Sequence, residues 1–357
     1  MCINELPQPL LEAVKQGMVI PAMPLALDAN RRFDEKHQRA LLRYYIDAGA
    51  GGIAVGVHST QFEIRDPAIG LFEPVLSFAS KEIDRHVERT GKPPVLKIAG
   101  VTGRTEQATQ EALCARELGY HACLLSMKAF GDDDVPTMIE HCRRISEIMP
   151  LIGFYLQVPV GGRVLPYAFW RQFAEIDNVL AVKIAPFNRY QSLDVVRAVC
   201  DAGREKDIML YTGNDDNIVN DLLTEYRIIS NGTEKRTRIV GGLLGHWGVW
   251  TRAAVRLFEE IRCIRQKDTV PTEMLTRNIE VTDCNSAFFD AANGYAGVVP
   301  GIHEVLRRQG LLAGTWCLNP EETLSPGQKE EIDRVYAAYP HLNDDDFVSE
   351  NLDRWFS

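Results

Sequence analysis

The sequence lacks long hydrophobic runs, since no stretch of 18 consecutive apolar residues occurs among its 357 residues. A membrane-spanning helix needs about 20 such residues, so none is expected. The first residues show no basic region followed by an apolar core, so we expect no secretory signal either. The eight cysteines are scattered and never form Cys-x-x-Cys. This spacing favours buried, reduced thiols in a cytoplasmic protein over a disulfide framework.

Positive charge is also in short supply, because 39 lysines and arginines face 49 aspartates and glutamates and leave a net charge of −10. A chain of this charge is poorly suited to bind nucleic acid or an anionic membrane surface. A small anionic substrate is still compatible with this charge, because local hydrogen-bond donors can bind it. We therefore expect a small-molecule partner, with no nucleic acid and no membrane.

What the sequence has instead is a repeating α/β pattern, in which eight short apolar runs alternate with amphipathic segments. Near-continuous apolar strands followed by helices are typical of a parallel sheet covered by helices, and eight such units close a (β/α)8 TIM barrel. An open, doubly wound sheet is the alternative, but no Gly-x-Gly-x-x-Gly follows the first strand. The predicted strands are residues 18–27, 52–57, 95–100, 121–127, 151–157, 179–184, 208–212 and 239–244.

Beyond residue 268 no further strand–helix unit follows, and glycines and prolines separate helical segments. We therefore predict a barrel over residues 1–268 and a C-terminal helical extension with its tail over residues 269–357. The polar end of the chain is expected to be a surface tail, and Trp355 and Phe356 would attach it to the rest of the protein. The predicted helices of the extension are residues 271–290, 298–308 and 325–338.

One lysine interrupts an apolar strand. Lys183 lies in the run 179–185 (VLAVKIA), where burial of the ammonium would lower its pKa and favour the neutral amine. A neutral amine in a dry site is a nucleophile for carbonyl carbon, and the product is a Schiff base. The alternative is a lysine at a strand tip whose ammonium extends to water.

Two further candidates lie near the end of the predicted strand before that of Lys183, one in the strand and one in the loop after it, where barrel active sites lie. Tyr155 is expected at similar depth to the lysine, where a phenol carries protons during carbinolamine formation and dehydration if hydroxyls relay them. The alternative for Tyr155 is a core residue with a hydrogen-bonded hydroxyl. Arg163, in the glycine-rich loop after the same strand, is either a ligand for a substrate carboxylate or a solvated loop residue.

The chain resembles the dihydrodipicolinate synthase and N-acetylneuraminate lyase superfamily in two segments, 155–159 (YLQVP) and 182–183 (VK). Members of this superfamily are class I aldolases on a (β/α)8 barrel with a C-terminal helical extension. The resemblance covers nearly the whole chain, including the turn 212–215. It implies a Schiff-base lysine at Lys183 and a proton-shuttling tyrosine at Tyr155. It also implies that no external cofactor is needed, because the covalent imine supplies the electrophile, and that the chain forms a homo-oligomer, a tetramer or a dimer.

The resemblance further implies substrate contacts in two loops. Gly213 and Asn214 lie in the turn after the seventh strand, and Gly242 and Leu243 lie at the glycine-rich end of the eighth. In the family the latter loop closes the substrate pocket. The same glycines are also compatible with a phosphate cradle, which barrels often form after strands seven and eight.

The segment after the second strand departs from the family pattern. Family members carry a Gly-Thr-Thr-Gly-Glu type sequence there, whereas residues 56–61 read GVHSTQ. In this register Ser59 keeps the hydroxyl of the relay threonine and is a third catalytic candidate, and Thr60 replaces the glycine as a substrate-binding candidate. His58 is either an acid–base or carboxylate-binding group or a hydrogen-bonded loop histidine. Losing the glycine changes how closely backbone amides approach an anion.

Other chemistry fits the sequence less well. Lys97 and Lys128 are rival nucleophiles, but neither matches the family's lysine position. His58, His246 and Asp215 are candidates for a metal site, but no two of them share ligand spacing on one element, and the first strand lacks His-x-His. No metal is predicted.

The sequence therefore predicts a Schiff-base-forming, class I aldolase, lyase or dehydratase that acts on a small 2-oxo acid or sugar-acid derivative. The changed segment 57–61 motivates an alternative, a non-catalytic or repurposed barrel that binds a small metabolite. The two differ at Lys183, because a binding protein has no need to keep that amine neutral.

Overall fold

The computed structural model describes residues 1–357, and a barrel of eight parallel strands forms its centre. The strands hydrogen-bond in the order β1-β9-β7-β6-β5-β4-β3-β2, and a parallel bridge between Ala22 and Ala54 closes the ring. The predicted (β/α)8 barrel is confirmed. The strands are β1 (Val19–Pro21), β2 (Gly52–Val55), β3 (Leu96–Val101), β4 (Ala122–Ser126), β5 (Leu151–Leu156), β6 (Val179–Ala185), β7 (Met209–Thr212), β8 (Glu225–Ser230) and β9 (Thr233–Leu244).

Helices cover the outside of the barrel, and local signals fix their ends. At the start of the second helix the Asp34 carboxylate accepts the Lys36 and His37 amides, and Gly49 ends that helix at φ 104°. The helices are α1 (Gln8–Gln16), α2 (Glu35–Ala48), α3 (Phe72–Thr90), α4 (Thr105–Glu117), α5 (Val135–Ser146), α6 (Tyr167–Phe173), α7 (Arg189–Asp201), α8 (Ile218–Leu223), α9 (Thr251–Ile264), α10 (Glu273–Phe288), α11 (Val298–Arg308), α12 (Gln328–Ala338) and α13 (Asp345–Phe356).

The eighth unit differs from the prediction. Helix α8 is short, and β8 then pairs antiparallel with the first part of β9 as a hairpin outside the ring. Only the end of β9, from Ile239 onward, pairs with β7 and β1 and completes the barrel. On one face of β8, Tyr226 and Ile228 pack partly against the core, whereas Ile229 on the other face is exposed. Because Ile228 and Ile229 are adjacent and both apolar, the strand lacks the alternation that marks a half-buried strand.

Helix α1, which the sequence pattern did not reveal, closes the N-terminal end of the barrel. Its Leu10 and Val14 join the cluster of side chains that fills the barrel interior. The Tyr211 hydroxyl, on β7, donates to the Val14 carbonyl at 2.8 Å. Because this end is filled, a ligand can reach the interior only from the C-terminal ends of the strands.

The last helices pack onto the barrel helices, and one cluster of buried side chains continues across residue 268. The division into 1–268 and 269–357 falls between α9 and α10 and stays a prediction. The predicted surface tail is wrong, because residues 345–356 form a helix whose Trp355 is fully buried. The helices include none that combines the length and the apolar character of a membrane span.

Candidate active site

A cavity opens at the C-terminal ends of the barrel strands, and mostly hydrophobic side chains line it. Its space of about 580 Å³ falls in the range of small-molecule sites. The segment between α10 and α11, with the start of α11, covers it through Phe289, Tyr295, Val298 and Ile302. The polar side chains of the lining are His58, Ser59, Gln157, Lys183, Asp215 and Tyr295.

Lys183 projects from β6 into this cavity and is the one lysine that lines it. Only 8% of the residue is exposed, and this burial lowers its pKa to about 8, although the charge of Asp215 opposes the shift. Desolvation disfavours the charged form of an amine, so part of the population carries a neutral, nucleophilic nitrogen near neutral pH.

Gly213, at the end of β7, makes room for the lysine. A Cβ added at this position would lie 2.7 Å from Lys183 Cε and 2.7 Å from Ala185 Cβ, which is too close for non-bonded carbon atoms. The structure places Gly213 in the cavity lining, and its missing side chain gives the lysine stem its path.

Asp215 is the functional residue that sequence reasoning missed, since it was weighed only as a metal ligand. Its carboxylate lines the cavity, and Oδ1 accepts the backbone N–H of His246 at 2.9 Å. Burial raises its pKa to about 7, while the His246 amide and the charge of Lys183 lower it. No ion pair within 4.0 Å joins Asp215 and Lys183, although both line the same cavity. The sequence signal that could have identified Asp215 is an acidic residue two positions after the glycine that follows β7.

The ladder between β5 and β6 shows which residue of β5 faces the lysine. Phe154 lies opposite Lys183, and Tyr155 lies opposite Ile184. Successive residues of a strand point to opposite faces, so Phe154 and Leu156 line the cavity and Tyr155 points away from it.

Tyr155 therefore lies in the layer between strands and helices. Its ring packs on Trp170, with 5.4 Å between ring centres, and its hydroxyl accepts the Leu165 N–H at 3.3 Å. The expected pairing of Tyr155 with Lys183 is wrong, and the alternative of a hydrogen-bonded core tyrosine fits the contacts. The phenol that does line the cavity is Tyr295, from the helical extension.

The segment after β2 divides into residues that face the cavity and one that does not. Ser59 and His58 line the cavity. The Thr60 hydroxyl is occupied, because it accepts the Gly56 N–H at 3.0 Å and donates to the Met23 carbonyl at 2.7 Å. The expected substrate contact of Thr60 is therefore not available, and its side chain holds the loop instead.

His58 is held as a neutral imidazole at physiological pH. Burial, together with the charges of Lys183 and Lys128, lowers its pKa to about 4. It can donate or accept one hydrogen bond at the cavity wall, but it supplies no positive charge for a carboxylate.

Asn214 makes its hydrogen bonds outside the cavity. Its Oδ1 accepts the Phe187 N–H at 3.0 Å, and its Nδ2 donates to Asp221 at 3.0 Å. Phe187 lines the cavity with a positive φ of 53°. Asn214 thus positions the loop after β6 and does not itself line the cavity, contrary to the expected substrate contact.

Three further predicted contacts also lie outside the cavity lining. Leu243 belongs to the cluster of side chains in the barrel interior. A Cβ at Gly242 would lie 2.7 Å from the Trp247 ring, so that glycine allows the tryptophan to pack. Arg163 donates to the Asp133 carbonyl at 3.4 Å, which directs it toward the loop before α5.

The rival nucleophiles do not line the cavity. Lys97 is engaged by Asp84, with its Nζ 2.7 Å from the nearer carboxylate oxygen. Lys128 is exposed above the Phe62 ring. His, Cys, Asp and Glu side chains form no group of three or more that could hold a metal ion.

Comparison with known families matches residues 15–225 to the model of the dihydrodipicolinate synthetase family. Among curated proteins, a 4-hydroxy-tetrahydrodipicolinate synthase from Archaeoglobus fulgidus is 27% identical over 136 residues, which are 38% of this chain and 45% of that protein. The matched part thus spans less than half of the relative's length.

Solved structures match over most of both chains. Dihydrodipicolinate synthase from Oceanobacillus iheyensis has a TM-score of 0.69 at 16% identity and covers 93% of this chain and 99% of its own. N-acetylneuraminate lyase from Fusobacterium nucleatum, solved with pyruvate, has a TM-score of 0.69 at 17% identity and covers 92% and 98%. At these identities the likeness shows a shared fold.

Proposed function

The chain belongs to the dihydrodipicolinate synthetase family, and from this premise we propose that it is a class I lyase of the aldolase or dehydratase type. Its substrate is a small 2-oxo acid or sugar-acid derivative, held as an imine on Lys183. The observation that carries the proposal is the position of Lys183, a buried lysine with a lowered pKa in a cavity at the C-terminal ends of the strands.

The chemistry follows from the amine. Lys183 Nζ attacks the carbonyl carbon, the carbonyl oxygen is protonated, and loss of water from the carbinolamine leaves a protonated imine. The imine withdraws electrons from the neighbouring carbon. A carbon–carbon bond can then break or form there, or water can leave, without an external cofactor.

The polar lining fits an acid next to the carbonyl. Ser59 offers a hydroxyl, Gln157 an amide and His58 a neutral imidazole, and these groups can hydrogen-bond a substrate carboxylate. One fold relative was solved with pyruvate, which supports 2-oxo acids as the first compounds to test. Cytoplasmic location and assembly as a tetramer or dimer stay predictions.

The test is reductive trapping. The protein is incubated with borohydride and each of pyruvate, 2-oxobutyrate, 2-oxoglutarate and a set of sugar acids, and intact mass and peptide mapping locate any adduct. We expect a reduced adduct on Lys183 that is absent from Lys183→Ala. Lys128→Ala, which removes an exposed lysine outside the cavity lining, is the matched control and should trap normally.

The trapped mass identifies the accepted carbonyl compound. Adducts with other oxo acids but not with pyruvate would show that the changed segment after β2 has redirected specificity. No adduct from any compound with folded protein would overturn the proposal and favour the barrel that only binds a metabolite.

A further inference from the structure

Imine formation requires an acid and a base beside the reacting carbon, because the carbonyl oxygen must gain two protons before it leaves as water. The tyrosine expected to carry these protons faces the helix layer. The titratable side chains that line the cavity are His58, Lys183, Asp215 and Tyr295. Since Lys183 is the nucleophile, the protons must come from one of the other three.

Two of the three suit the task poorly. The imidazole of His58 has a pKa of about 4 because of burial and two nearby lysines, so it carries no extra proton to donate near neutral pH. Burial and nearby carboxylates raise the pKa of Tyr295 above its ordinary value, so near neutral pH its phenol keeps its proton and cannot serve as the base that the reaction also needs. Asp215 remains.

Asp215 is held at its carboxylate and at its backbone. Its Oδ1 accepts the His246 N–H at 2.9 Å, and its backbone carbonyl accepts Asn285 Nδ2 at 2.7 Å. With Oδ1 held, Oδ2 is the oxygen free to meet a substrate. Lys183 lines the same cavity from the neighbouring strand, beyond ion-pair distance, so a carbon bonded to the lysine nitrogen can have its oxygen near Oδ2.

We propose that Asp215 is the general acid and base of imine formation in this chain, in the role that a tyrosine would otherwise take. The inference rests on the proposed function, because it concerns the same imine. Asp215 acts on the reacting atoms and would be a catalytic residue.

The proton balance closes with one carboxyl group. Protonated Asp215 gives its proton to the carbonyl oxygen as the neutral amine of Lys183 attacks, and the carboxylate then takes a proton from the new C–N nitrogen. It returns this proton to the carbinolamine hydroxyl, the C–O bond breaks, and water leaves. The products are a protonated imine and the Asp215 carboxylate, whose charges compensate each other.

The surroundings set the pH at which this carboxyl works. Burial raises its pKa to about 7 and the charge of Asp216 adds to the rise, whereas the His246 amide and Lys183 oppose it. Tyr295 and His58 also line the cavity, and both are neutral near pH 7. An acid–base group is most effective when its pKa lies near the working pH.

The experiment measures the rate at which the trappable adduct forms, across pH, for wild type, Asp215→Asn, Asp215→Ala and Tyr295→Phe, with the 2-oxo acids named above. We expect Asp215→Asn to slow formation by about 10²- to 10⁴-fold, the usual contribution of a general acid–base group, and to remove the pH limb near neutrality. Acetate should partly restore the rate of Asp215→Ala, and Tyr295→Phe should keep the pH limb near neutrality, because the carboxyl of Asp215 is still present.

The outcomes separate the two proposals. No adduct in wild type removes the proposed function, and this inference with it. An adduct that forms in Asp215→Asn at the wild-type rate and with the wild-type pH limb overturns the inference alone. A slow Asp215→Asn that keeps the limb, with no rescue of Asp215→Ala, would assign Asp215 a structural role and also overturns it.

Discussion

Lys183 lies directly opposite Phe154 across the β5–β6 ladder, and its amine nitrogen is 4.6 Å from the centre of that ring. A cation over an aromatic face is stabilised by about 0.5 to 2 kcal/mol. This contact offsets part of the cost of burying the ammonium, but burial still dominates and the pKa of Lys183 is lowered. The same register directs Tyr155 away from the cavity.

Removing the Tyr155 hydroxyl should leave imine formation intact. The hydroxyl accepts the Leu165 N–H in the helix-facing layer, so Tyr155→Phe is expected to lower the free energy of unfolding by about 1 kcal/mol, the usual contribution of one hydrogen bond. Trapping on Lys183, measured as the rate of adduct formation, should stay within about threefold of wild type. A loss as large as that expected for Asp215→Asn would show that the phenol reaches the reacting atoms.

A side chain at residue 213 should displace the lysine. The Cβ of Gly213→Ala would lie 2.7 Å from Lys183 Cε and from Ala185 Cβ. The flexible lysine stem can move away, whereas the contact with Ala185 requires a small backbone shift between β6 and β7. We expect the variant to fold and to lose at least about tenfold in trapping rate, because misplacement by about 1 Å can cost as much as 10²-fold.

The matched control for this change is Gly232→Ala in the β8–β9 turn. Nothing lies within 4 Å of the added Cβ there, although φ is +76°. It should lose stability through backbone strain and trap normally. Equal trapping by the two variants would contradict the steric account of Gly213.

The fold could be predicted because it follows from periodicity. Eight apolar runs with intervening amphipathic segments admit few arrangements, and the order of the strands in the ring is the order in the chain. The β8 hairpin was not predicted because an apolar residue, Ile229, stands on its exposed face next to Ile228, so neither a period of two nor a continuous apolar run marks the strand.

The sequence of β5 could not show which of its side chains point into the cavity. Strands of a parallel barrel are buried on both faces and read as continuous apolar runs, and here Phe154 and Tyr155 are adjacent aromatics. A slip of one residue exchanges the two faces. The position of Lys183 was easier to infer because the resemblance to the family marks it. The strand alone would not have been enough, since Lys97 also interrupts an apolar strand but pairs with Asp84 outside the cavity. Asp215 lies in a turn, where no periodicity reports orientation.

The C-terminal helix should contribute strongly to stability. Trp355 is fully buried against α2, 5.4 Å from the Tyr44 ring, and its Nε1 donates to Asp47 at 2.8 Å. Trp355→Ala is therefore expected to lower the free energy of unfolding by about 3 to 5 kcal/mol, measured by denaturant titration. Phe356→Ala, at a partly buried neighbour, should cost clearly less. Similar losses for both would indicate a loosely docked tail.

Lys183 itself should destabilise the fold, in a way that depends on pH. Its folded pKa of about 8 lies below the ordinary 10.5, so the folded state binds the lysine proton more weakly than the unfolded state does. The resulting loss in the free energy of unfolding has its full size at pH values below the folded pKa, and it disappears as pH rises toward 10.5. A shift of this size corresponds to on the order of 3 kcal/mol.

We expect Lys183→Met to be more stable than the parent at about pH 6 by roughly this amount, and the gap to narrow as pH rises above about 8. The comparison is best made in an Asp215→Asn background, because the carboxyl of Asp215 titrates in the same cavity and loses its partner when the lysine is removed. Denaturant unfolding at several pH values measures the gap. A gap that does not change with pH would mean that methionine stabilises only by packing, and that the lysine amine titrates normally in the folded protein. That result would also weaken the physical basis for a nucleophile at this position, because only a very small fraction of the amine would then be neutral near pH 7 and able to attack a carbonyl.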